Sequence, residues 1–155
     1  DDAWNWRVGG KAVAFSPLRG APFWGGGYIS MGRARDAVNG RAPQYLFAET
    51  MATLELNEKI AINVNPKLAW SGIGNPSGVG LSSNIHLSPN LELIPETNIV
   101  LNQITQSNVT LGLRWHATES CSVDFYASTA ASIVEVGQLI SADELRWGAK
   151  ILINF

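Results

Sequence analysis

Apolar and polar positions alternate with a period of two through most of this chain, and no segment of any length shows apolar residues at helical spacing. The clearest stretch is Val109 to Thr118. There Val109, Leu111, Leu113, Trp115 and Ala117 point one way, and Thr110, Gly112, Arg114, His116 and Thr118 the other. A strand sends successive side chains to opposite faces, so such a segment has one apolar and one polar side. The final segment, Glu144 to Phe155, repeats the pattern: Leu145, Trp147, Ala149, Ile151, Ile153 and Phe155 alternate with Glu144, Arg146, Gly148, Lys150, Leu152 and Asn154.

Seven further strands are predicted at Trp4 to Phe15, Trp24 to Arg35, Tyr45 to Leu56, Lys59 to Trp70, Gly78 to Leu87, Leu91 to Leu101 and Cys121 to Ala131. The pattern over 44–155 is a clear meander. Over 1–35 it is weaker, and Gly9, Gly10 and the Gly25-Gly26-Gly27 run suggest bulges or sharp curvature there.

The connections carry a second regularity. Asn57-Glu58, Ser88-Pro89-Asn90 and Glu119-Ser120 read as tight turns; Ser71 to Ser77, Asn102 to Asn108 and Ser132 to Ala142 are longer links. Short and long therefore alternate, as they do in outer-membrane barrels, and Phe155 falls on the short-turn side. The link from Ser16 to Phe23 breaks this rhythm, being long where a short turn is due. The expected fold is all-β: an antiparallel up-and-down meander forming a membrane β-barrel of about eight to ten strands, alone or as part of a larger barrel. We expect one domain over 1–155. The count of nine is odd where bacterial single-chain barrels are even, so the expectation includes a miscounted N-terminal region or further strands outside this sequence.

Composition narrows the classes. The chain has 155 residues, 46% hydrophobic, with a formal charge of −2. No run approaches the roughly 18 apolar residues of a helical span, and no basic excess points to nucleic acid. Cys121 is the only cysteine, which excludes an internal disulfide and fits a small apolar strand residue. The sequence opens on Asp1-Asp2 without a charged-then-apolar leader, and no signal peptide is expected in it.

The final strand closing on Phe155 resembles the C-terminal signature that outer-membrane barrels present to their assembly machinery. The stretch Leu46 to Phe155, about two thirds of the chain, resembles the meander of Gram-negative, cyanobacterial-type outer-membrane proteins; it contains "LSPNLELIPETNIVLN" and then "TLGLRWHATESCSVDFYAS". The usual signature has a glycine five residues before the last aromatic; here Lys150 stands in its place and Gly148 lies two positions earlier. The resemblance implies an outer-membrane location, membrane lipid and the assembly machinery as partners, and porin-like passive transport or an envelope role.

With the apolar faces turned to lipid, the other faces form a lumen. Its candidate lining is Glu49, Glu55, Lys59, Lys67, Glu92, Glu96, Arg114, His116, Asp124, Arg146 and Lys150, with both signs interspersed. In a narrow barrel such residues pair and fill the interior; in a wide one they line a water-filled pore. Trp70, Trp115, Trp147 and Phe155 are the candidate membrane-interface aromatics.

Catalysis is not expected. His86 and His116 are the only histidines, and neither has further metal ligands at close spacing. Serines near His116 (Ser83, Ser122 and Ser128) are too common a residue type to define a nucleophile. No metal and no cofactor is expected. Two other functions fit the same alternation: a soluble β-barrel holding an apolar small molecule inside, and a barrel subunit that anchors or completes a larger assembly. A homo-oligomer is open on the same grounds.

Overall fold

The structure, a computed structural model, describes residues 6–33, 44–71, 74–102, 106–132 and 135–153. Among these residues nine strands form a single antiparallel sheet in chain order. They are β1 (Trp6–Phe15), β2 (Trp24–Arg33), β3 (Gln44–Asn57), β4 (Ile60–Ser71), β5 (Ser77–Ser88), β6 (Leu91–Val100), β7 (Asn108–Thr118), β8 (Cys121–Ala130) and β9 (Ser141–Ile153). Each pairs only with its chain neighbours, and each of the nine expected strands is found with its ends moved by a few residues. Trp4, Asn5, 34–35, Asn154 and Phe155 lie outside the described residues, so the expected ends there are not addressed.

The meander is present; closure into a barrel is not. Among the described residues β1 and β9 have no partner across the seam. Alternating strands leave the first and the ninth running the same way, so closing the seam directly would need the slanted bonds of a parallel pair in an otherwise antiparallel sheet.

Short turns all lie at one end. At the first of them Asn57 Oδ1 accepts from the backbone N–H of Lys59 at 2.8 Å and of Ile60 at 3.0 Å, a local bond that asparagine offers in place of a ladder bond. Register shifts sit beside all three tight turns, at Glu55/Asn57, His86/Ser88 and His116/Thr118. Such shifts sharpen local twist. The link between β1 and β2 is longer, as its length implied, and contains a 3-10 turn, Pro17–Arg19, ended by Gly20 at φ 85°.

The glycine-rich β1 and β2 keep regular pairing through Gly9 and Gly10, and the one shift, between Val13 and Phe15, lies opposite Gly26 and Gly25, in the glycine run where a bulge was expected. Glycine at position 26 has a steric cause as well. A Cβ there would stand 2.4 Å from the Ala12 carbonyl oxygen.

The two faces of the sheet differ sharply. On one, Ile29, Met31, Leu46, Leu54, Ile62, Val64, Leu68, Trp70, Leu111, Trp115, Phe125, Trp147 and Ile151 are all exposed. The other, the inner face, carries the buried residues, and most of these are polar: Lys67, Glu92, Asn98, Asn108 and Ser128. The β8–β9 link folds over this face as a short 3-10 helix, Glu135–Leu139, touching β3, β4, β6 and β8. Beneath it lies the small apolar cluster of Tyr45, Phe47, Ala69 and Leu139, with Tyr28 and Ile140 packed against it.

Candidate functional site

The inner face is organised as two hydrogen-bonded belts running across the strands. Both follow from alternation: a polar residue at every second position of neighbouring strands comes into line once the register is set.

The first belt, toward the short-turn end, runs from β3 to β8. Thr53 Oγ1 donates to Asn63 Oδ1 at 2.6 Å, and Asn63 Nδ2 donates to Asn84 Oδ1 at 2.6 Å and Ser82 Oγ at 3.1 Å. Asn84 Nδ2 then reaches Glu92 Oε1 at 2.7 Å. Glu92 in turn faces Arg114, with Nη1 at 3.5 Å. Arg114 grips Asp124 through Nε at 2.7 Å and Nη2 at 2.9 Å, the two-point geometry that suits a planar guanidinium to a carboxylate.

The second belt centres on Lys67 of β4, which is 2% exposed. Its Nζ donates to Asn98 Oδ1 at 2.6 Å, Gln138 Oε1 at 2.8 Å and Glu96 Oε1 at 3.2 Å, with Glu49 at 3.8 Å. Three donors meet three acceptors, as a buried ammonium requires. Asn98 passes the belt to Asn108 of β7 at 3.2 Å, and Asn108 Nδ2 closes it on the Gln138 carbonyl at 2.8 Å.

Glu135 ties the link to the far side of the sheet. It accepts from the hydroxyls of Tyr28 (β2) and Tyr45 (β3) and stands 3.5 Å from Arg7 of β1. One short segment before β9 thus reaches β1, β2 and β3 as well as β6 and β8, and it covers the inner face at the long-link end.

Of the expected lining residues, Glu49, Lys67, Glu92, Glu96, Arg114 and Asp124 come together in these belts. His116 borders the first belt, 3.8 Å from Glu92. Arg146 and Lys150 lie on the inner side of edge strand β9, exposed, and Arg146 donates to the Ala131 carbonyl at 2.8 Å. Glu55 accepts from the Trp24 indole at 2.9 Å. Lys59 lies in the β3–β4 turn, just before β4 rather than within it, and its carbonyl still accepts from the His86 N–H of β5 at 2.8 Å. Trp70, Trp115 and Trp147 are all on the exposed apolar face; Phe155 is outside the described residues.

Several inner-face residues were missed because only charged positions within the expected strands were singled out. Asn84, Asn98, Asn108, Gln138 and Glu135 carry as much of the network as the charges do. The strand asparagines had a signal: Asn84 is in phase with His86, Asn98 with Glu92 and Glu96, and Asn108 with Arg114. Glu135 and Gln138 had none, since their partners lie far away in sequence.

Chemically the arrangement pairs charges and satisfies most of the inner-face amides; among the described residues Asn65 Oδ1 and Ser30 Oγ are buried without a hydrogen-bond partner. His86 and His116 flank Glu92 across the ladder. Among the described residues, however, no three His, Cys, Asp or Glu side chains are grouped to hold a metal ion. No helix among them is long and apolar enough to cross a membrane, which leaves strands untouched by that criterion. No family model, no curated protein and no solved structure matches this chain.

Proposed function

We propose that this chain is the wall of an outer-membrane β-barrel, acting in passive, porin-like transport or as an envelope component. The observation that carries the proposal is the placement of the two faces. Leu111 is 54% exposed and Trp115 49%, while Lys67 on the opposite face is 2% exposed. A water-soluble sheet has the reverse arrangement, and an apolar surface of this extent needs a covering phase. Hydrocarbon provides one, with aromatic Trp70, Trp115 and Trp147 on the same face. The polar belts and the Glu135 link then fill the interior, so any passage is narrow and lined by both signs of charge.

A soluble barrel holding an apolar molecule inside fits these faces poorly, because the polar side is the one that is covered. The reading of a subunit that completes a larger assembly is favoured by a specific observation, the two unpaired parallel-running edges.

Membrane extraction and conductance test the proposal. The chain should leave a membrane fraction only with detergent and give conductance steps in a planar bilayer; a monomer fully soluble without detergent contradicts it.

A further inference from the structure

Building on the subunit reading, we propose that one strand of a partner chain, apolar on its outer side and acidic on its inner side, seats between β1 and β9 antiparallel to both. Three observations on these edges lead there.

The first is direction. Both edges run the same way, so a single strand can pair antiparallel with each and raise the count to an even number. The second is exposure. Every residue of β1 is exposed, on both faces and over its ten residues, and the row of inner positions on β9 is open at Glu144, Arg146 and Lys150. Unpaired edges of this length are templates for another strand.

The third is charge. Between β3 and β8 the inner cations face carboxylates: Lys67 has Glu49 and Glu96, and Arg114 has Glu92 and Asp124. The belts stop there. The edges bring Arg7 and Lys11 on β1 and Arg146 and Lys150 on β9 to the inner side; Lys150 stands opposite Asp124, which Arg114 already holds, and among the described side chains of the two edge strands Glu144 is the one acidic residue on that side. Among the described residues no carboxylate stands within ion-pair distance of Lys11 or Lys150, and Arg7 is met only by Glu135 of the link. A strand with acidic inner positions therefore completes the pairing pattern of the other strands. A second copy fits less well: turned to pair antiparallel it sets β1 on β1, where Arg7 and Lys11 meet their own counterparts and no carboxylate is supplied. Glu135, in the segment leading into β9, stands 3.5 Å from Arg7 near the start of β1.

The test uses the full chain in detergent micelles and two dye-labelled ten-residue peptides. Both alternate valine or leucine with a polar residue, glutamate in one and lysine in the other. The glutamate peptide should bind at least tenfold more tightly, and a Lys11→Glu/Lys150→Glu variant should reverse the preference. Equal affinity for the two peptides overturns the proposal, as does a stable dimer of the chain formed without peptide. In a Cys121→Ser background, cysteines at Val8 and Ile151 that cross-link within one chain would also overturn it, by showing direct closure. Quenching of the outer tryptophans by lipid is expected whatever these binding results are, so failure here is distinguishable from failure of the membrane reading.

Discussion

Replacing Lys67 by methionine removes one charge and keeps most of the side-chain volume. The ammonium gives three hydrogen bonds, to Asn98, Gln138 and Glu96, and has Glu49 as a further neighbour. Its loss leaves two carboxylates facing each other across a covered surface and Asn98 Oδ1 without its donor. Removing one partner of a buried ion pair costs about 3–5 kcal/mol. The side chains of Glu49 and Glu96 keep 14% and 22% exposure. Partial hydration of the orphaned carboxylates puts Lys67→Met at the low end, about 3 kcal/mol, or more than 100-fold in the folding equilibrium. Urea unfolding of the chain in lipid vesicles, followed by tryptophan fluorescence, measures it as a lower midpoint at unchanged slope. The Lys67→Met/Glu49→Gln/Glu96→Gln variant should recover at least half of the loss, since the repelling charges are gone. A loss below about 0.5 kcal/mol for Lys67→Met, the ordinary range for an exposed site, would refute the reasoning: Lys67 would then be hydrated and the inner face open to water.

Three further perturbations probe other parts of the structure. Leu111→Arg on the exposed apolar face should cost about 2–4 kcal/mol in vesicles if that position is near the bilayer midplane, against no more than about 0.5 kcal/mol for a water-facing site; the same urea assay reads it. Gly26→Ala should destabilise by about 1–3 kcal/mol, the usual cost of overpacking, because its Cβ meets the Ala12 carbonyl oxygen, whereas Gly10→Ala meets nothing within 4 Å and should be neutral. Glu135→Ala removes the acceptor shared by Tyr28 and Tyr45 and the partner of Arg7. Faster protease cleavage within 132–140 and larger conductance steps are expected, with unchanged cleavage counting against the link as a cover.

The strand order was legible because period-two alternation is a local property of each segment, and the tight turns fixed which strands pair. The identity of the two faces was legible for the same reason: Val109 to Thr118 needs no partner to show an apolar and a polar side. What lay beyond the sequence was contact at long range. Glu135 sits in a segment with no periodicity, and its partners Tyr28 and Tyr45 come from strands at the other edge of the sheet. Tyr45 and Phe47 share the inner phase of Glu49 and form an apolar cap under the link, something alternation alone would assign to a polar wall. The expected start of β4 at Lys59 was early by one residue, since a lysine in phase with Asn63 reads the same in a strand or just before it. The odd strand number was visible from the start. Its consequence, two edges running in the same direction with basic inner positions, needed the register of β1 on β2 and of β9 on β8.

The central claim is that the exposed apolar face lies in hydrocarbon and the polar belts lie inside. Single-tryptophan variants in vesicles of bromine-labelled lipid test it directly. Trp115 is exposed on the apolar face, while Trp24 is directed inward with its indole on Glu55. A chain keeping only Trp115 should be strongly quenched by the lipid bromines, and one keeping only Trp24 should be quenched far less. Equal quenching of the two, or none of Trp115, would contradict the account.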